Sequence, residues 1–95
     1  MVIHHVQFVV SSLSVAKKFY LTALAPLGFK EFYEVEGTIV GLNGPNGVPD
    51  LWLCPTGPNK PPTKGLHLAF LGESREVVDQ FYKAALYVYY CSSRD

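Results

Sequence analysis

Net charge is the first thing this chain lacks. Eight lysines and arginines balance eight aspartates and glutamates, and no stretch is denser in basic residues than Lys17-Lys18. Gripping a phosphate backbone takes several cations along one face, so nucleic acid is not an expected partner. Cysteine is scarce as well, and Cys54 and Cys91 stand far apart. The chain opens without a basic region followed by an apolar run and a small-residue cleavage site. No uninterrupted apolar segment approaches the roughly 18 residues of a membrane span. The expected setting is cytoplasmic and reducing, with no membrane partner. What is present suffices for one domain: 95 residues, 48% apolar, 14% aromatic and 17% charged, a globular composition. A domain of this size buries only about 60 to 65% of its unfolded surface, so the stability margin is thin.

Ile3 to Val10 is rich in β-branched and aromatic residues and stops at Ser11-Ser12, which predicts a strand followed by a helix cap. Alternation puts His5, Gln7 and Val9 on one face and Val6, Phe8 and Val10 on the other. Apolar residues at Ala16, Phe19, Tyr20, Ala23, Leu24 and Leu27 have the spacing of an amphipathic helix, ended by Pro26 and Gly28. Phe29–Val35, Thr38–Leu42 and Asp50–Cys54 read as three short strands separated by Glu36-Gly37 and by the turn-rich run 43–47. The run 55–64, with its four prolines, predicts a linker. Gly65–Leu71 then reads as a further strand. Ser74 is placed to cap a second helix that carries Val77, Val78, Phe81, Tyr82 and Ala85.

FYLTAL at 19–24 returns as FYKAAL at 81–86, and the same spacing relates His5 to His67 and Phe8 to Phe70. A strand-helix unit therefore occurs twice, each time with histidine and phenylalanine on opposite strand faces. The phenylalanines are expected to pack under their own helices. The histidines then face the other side of the sheet, where a pseudo-twofold pairing of the units would bring them together. Two imidazoles with carboxylates can hold a divalent metal that keeps open positions for substrate.

The words HHVQFVV, FYLTALAPLGF and GLHLAF, in this βαβββ order, resemble the vicinal oxygen chelate superfamily of glyoxalase I, bleomycin-resistance proteins and extradiol dioxygenases, and in particular its small glyoxalase-like members. The resemblance runs from Met1 to Leu86 and implies an α+β, glyoxalase-like fold. A βαβββ module would occupy residues 1–54, a linker 55–64, a partial second module of strand and helix 65–86, and a divergent tail 87–95. It also implies a cup formed by two modules, a small-molecule substrate or ligand, and a divalent metal (Zn, Ni, Fe or Mn) acting as a Lewis acid. His5 and His67 match the first-strand ligand positions. On the last strand of the first module Leu51 takes the place of the ligand carboxylate, with Asp50 one residue off, and a one-residue shift reverses the face. The chain ends before three strands of a second module and the glutamate the family carries there, so the fold is expected to be incomplete: a shortened member that holds no metal, or one that regains a site as a homodimer. The Tyr-rich tail is open to two outcomes, a longer helix or an extra strand.

Each site residue has a plainer reading beside the functional one. His5 and His67 are ligands or half-buried strand residues hydrogen-bonded to neighbours, and His4 is structural or a surface residue. Gln7 touches a ligand or simply lines the face. Trp52 is the expected pocket wall, Tyr20 and Tyr82 are expected in the core, Cys54 is a buried thiol, and Lys17 and Lys18 form a solvated helix face. Three functions follow as expectations. The first is a metal-dependent lyase, isomerase or dioxygenase that lacks its second-module carboxylate. The second is a non-catalytic small-molecule-binding module, and the third a fragment completed by dimerisation through an open sheet edge.

Overall fold

The computed structural model describes residues 3–93. The element order is β1 (Val6–Val10), α1 (Leu13–Leu24), a 3₁₀ turn (Ala25–Leu27), β2 (Lys30–Val35), β3 (Ile39–Asn43), β4 (Leu51–Pro55) and α2 (Arg75–Ser93). One sheet holds the strands in the order β1-β4-β3-β2. β1 runs parallel to β4, with Gln7 opposite Trp52 and Val9 opposite Cys54, and the β4–β3 and β3–β2 pairs are antiparallel. This is the α+β, βαβββ arrangement expected, followed by a second helix.

Local chemistry sets the boundaries. Ser12 is extended, and its hydroxyl accepts from the Val15 N–H, which satisfies one orphan donor of α1. Pro26 tightens the helix end into the 3₁₀ turn. Gly28 closes it at φ +88°, where a side chain would be strained and would press on Pro45. Ser74 caps α2 in the same way, its hydroxyl accepting from the Val77 N–H at 3.2 Å. Ser12 and Ser74 are thus separated by the same interval as the two FYxxAL words. The core forms where Leu24 of α1 meets Val40 and Leu42 of β3 and Leu51 and Leu53 of β4, all buried, with Phe8, Val10, Ala16, Tyr20 and Phe81 packed around them. α2 lies against α1 and the 3₁₀ turn and buries Val88.

Several expectations are corrected. The first strand begins at Val6, so His5 precedes it. Residues 65–71 form no ladder and run as coil. The outer edge of β1 at Val9 is already taken by Thr63, whose Oγ1 accepts from the Val9 N–H while its N–H donates to the Val9 carbonyl. Gly65, at φ +70°, then turns the chain away from strand geometry. The run 55–64 is accordingly a strap along β1 rather than a free linker. The tail through Ser93 continues α2, because no glycine or proline follows Leu86 to stop it; Arg94 and Asp95, like Met1 and Val2, lie outside the described residues. Tyr82 is 63% exposed, since Val77, Phe81 and Val88 take the inward face of α2 and turn Val78 and Tyr82 outward.

Lys17 is not simply solvated. Its ammonium reaches Glu31 at 2.8 Å and Glu34 at 2.7 Å. A register shift between Glu31 and Tyr33 lets two residues three apart on β2 meet the same lysine of α1. These hydrogen bonds, the one to Glu31 foremost, hold the Lys17 ammonium above its usual pKa, and Lys17 holds the Glu31 carboxyl below its usual range. The Glu31 contribution to stability is therefore present above the ordinary carboxylate range and lost as pH falls through its lowered value. The Lys17 contribution is present below the ordinary lysine value and lost as pH rises through its raised one. Lys17→Met should lower the urea midpoint at about pH 7. That gap should close in strong acid, in strong base and in about 1 M salt. An unchanged gap in acid would mean that the lysine's methylenes, not its charge, hold β2.

Candidate functional site

Leu51 and Leu53 point toward α1, so alternation along β4 turns Trp52 to the opposite, helix-free face of the sheet. Its indole lies on Gly41, its register partner on β3. A Cβ built on Gly41 would stand 2.6 Å from the ring, so the close approach depends on glycine. The indole N–H donates to the Pro49 carbonyl at 2.8 Å, which fixes the ring's rotation. Phe32 and Tyr33 flank it with centroids at 6.4 and 6.3 Å and planes inclined at 81° and 58°. Both are about half exposed, at 53% and 48%. Consecutive residues of a regular strand face opposite ways; the irregularity between Glu31 and Tyr33 is what brings both rings to one indole. Gln7, exposed, sits across from Trp52 on β1. Together they form an anchored aromatic surface with an amide at its edge, suited to stacking on a flat small molecule.

The histidines and the carboxylate lie elsewhere. His4 and His5 precede β1, exposed, their Nδ1 atoms 3.0 Å apart, so one ring donates and the other accepts. Val6 donates to the Asp50 carbonyl, and continuing the β1–β4 register by one residue sets His5 beside Asp50. Asp50 Oδ1 is buried without a hydrogen-bond donor. His67 is exposed on the coil 65–71. Asp50 with His5 offers two donors, and His67 does not line the cavity they share. Among the described residues no three His, Cys, Asp or Glu side chains gather into a cation's donor set, so the described residues of a single copy do not by themselves fit a metal centre. Cys54 is buried and free, as expected. Tyr20 packs against the core beside Phe8, and burial pushes its phenol pKa up.

Phe32 and Gly41 escape sequence reasoning. A glycine at the centre of a strand was the available signal for the second; nothing in the spacing marks the strand irregularity that recruits the first. The sequence model of the Glyoxalase/Bleomycin resistance protein/Dioxygenase superfamily matches residues 2–86. No curated protein matches the chain.

Trp52 is the only tryptophan, so its emission reports this surface directly. Gly41→Ala should displace the indole, red-shift the emission and cost about 1–3 kcal/mol of stability as overpacking. Unaltered emission in a folded Gly41→Ala protein would show that the ring does not rest on residue 41.

Proposed function

The chain belongs to the Glyoxalase/Bleomycin resistance protein/Dioxygenase superfamily, and from that membership we propose that it is a small-molecule-binding module whose ligand stacks on Trp52. The observation that carries this reading is the indole fixed against Gly41 and Pro49 between two half-exposed rings. A preset ring loses little freedom when a planar ligand covers it, and covering Phe32 and Tyr33 removes apolar surface from water. Gln7 supplies a donor and an acceptor at the margin, enough to orient a ligand that carries one polar group.

The probe for this reading is 4-nitrobenzyl alcohol, a neutral aromatic that quenches indole on stacking. Saturable quenching of Trp52 is expected. By calorimetry, Trp52→Leu and Phe32→Ala should each weaken binding roughly threefold to tenfold. Equal affinity in Trp52→Leu sinks the proposal.

Metal-dependent lyase, isomerase or dioxygenase chemistry is the rival, favoured by the donor-less Asp50 oxygen beside His5. It requires a third ligand from another copy, and the outer edge of β1 at Gln7 is where a second chain would pair. Elemental analysis and light scattering on protein purified without chelators separate the two. The binding-module reading expects substoichiometric metal, whatever the extent of dimerisation. Stoichiometric metal in a dimer, lost in both His5→Ala and His67→Ala, would establish the rival instead.

A further inference from the structure

The Asp50 end of the sheet carries an unmet demand that the aromatic surface does not address. Two acceptor oxygens, Asp50 Oδ1 and Asn43 Oδ1, are buried without donors. They belong to neighbouring strand positions: Leu42 pairs with Leu51, and the next step of that antiparallel register sets Asn43 across from Asp50. The carboxylate lies close over Gly44, where an added Cβ would stand 3.0 Å from Asp50 Oδ2 and 3.5 Å from the Phe29 ring. A carboxylate oxygen shut away from water without a partner is costly, and so is an unpaired amide carbonyl.

Asp50 also lines two cavities. One, of about 220 Å³, is walled by Phe29, Leu51, Leu68 and Phe70 together with His4 and His5. The other, of about 610 Å³, shares Phe29, Phe70 and Asp50 and adds a second carboxylate, Glu73. The Phe29 and Phe70 rings meet edge to face at 5.6 Å between them. Among the described residues no lysine or arginine lines either cavity. The walls are therefore mainly apolar and aromatic, and among the described lining side chains the carboxylates of Asp50 and Glu73 carry the formal charge, with the imidazoles of His4 and His5 and the amide of Asn46 beside them. The complement of such a site is an organic cation rich in donors: an ammonium offers three N–H groups and no acceptor, and its hydrocarbon body suits aromatic walls.

We propose that the space walled by Phe29, Phe70 and Asp50 binds a small apolar primary amine, its ammonium paired with Asp50 and its hydrocarbon body against Phe29 and Phe70. The site is separate from the stacking surface and does not depend on it. Occupation supplies a donor to Asp50 and fastens the coil at 65–71, which no ladder holds, to the end of the sheet.

The test uses the full chain in buffer containing EDTA, so that divalent metal does not compete for the carboxylate. Benzylamine, benzyl alcohol and phenylacetate have similar bodies and differ in charge, and backbone amide shifts report where each binds. Benzylamine is expected to shift Phe29, Asp50 and Phe70 and to bind about ten- to a hundredfold more tightly than benzyl alcohol, with phenylacetate weakest. Asp50→Asn should erase the preference for the amine, and Trp52→Leu should leave benzylamine affinity within about twofold. Equal affinity for amine and alcohol, unchanged amine binding in Asp50→Asn, or no binding of any probe would overturn the proposal, the last by leaving ordered water as the only donor to these oxygens. If Asp50→Asn does not fold, the comparison of the three probes on the unmodified chain decides alone. Loss of nitrobenzyl alcohol stacking with benzylamine binding intact would count against the Trp52 reading only.

Discussion

The parallel pairing of β1 with β4 is the constraint on which the rest of this structure depends. Parallel neighbours cannot be joined by a tight turn, so the chain must leave β1, cross the sheet and return in the same direction. Here the excursion consists of α1, the β2–β3 hairpin and the loop that ends at Asp50. It places α1 on one face alone and makes β4 an interior strand, paired on both edges. β4 therefore has to serve two surfaces. Its Leu51 and Leu53 enter the core, while Trp52 faces away from α1.

That division explains why the site rests on small features of the backbone. A tryptophan in the middle of a sheet normally stands clear of its neighbours; above Gly41 it can lie down against the strand, and the Pro49 carbonyl locks it there. β2, by contrast, is exposed along its whole length and has no core of its own. Its ladder to β3 and the Lys17 bridge to Glu31 and Glu34 are what attach it. The rings of Phe32 and Tyr33 ride on that strand. A surface ion pair on the helix side thus helps determine how two aromatic residues on the other side meet the indole. Such pairs contribute little to stability individually, and their value here lies in positioning.

The elements were legible in the sequence because their signals are local. Ser12 and Ser74 mark helix starts, Pro26 with Gly28 marks a helix end, and strands β2 to β4 fall within a residue of the expected limits. The sheet face of Trp52, opposite Leu51 and Leu53, was legible from alternation alone. Pairing was less legible. The strap at Thr63 and the irregularity in β2 arise from which edge meets which neighbour, and no periodicity encodes that choice. Lys17 looked like a solvated cation because its partners sit on a different element. His5 fell outside β1 for a related reason: β propensity extends to Ile3, but the ladder with β4 begins only at Val6.

The two strand-helix words show most clearly what a sequence repeat does and does not guarantee. Its apolar half is realised only in part in the second copy, where Tyr82 and Leu86, the counterparts of the packed Tyr20 and Leu24, stay exposed. Phe8 and Phe70 both pack against the core, and Phe81 joins them. Its polar half is not realised there, because His67 sits on exposed coil rather than on a strand face. Apolar burial is non-directional, so a phenylalanine can satisfy it from any backbone conformation that reaches the core. Aiming a histidine at one face of a sheet is directional, and it requires a ladder to set the alternation. With Val9 already paired to Thr63, that ladder is withheld from the second word in this chain. The repeat thus carries its strand phenylalanine into the core in both copies, while the chemistry its polar positions imply depends on an edge that residues 65–71 do not obtain.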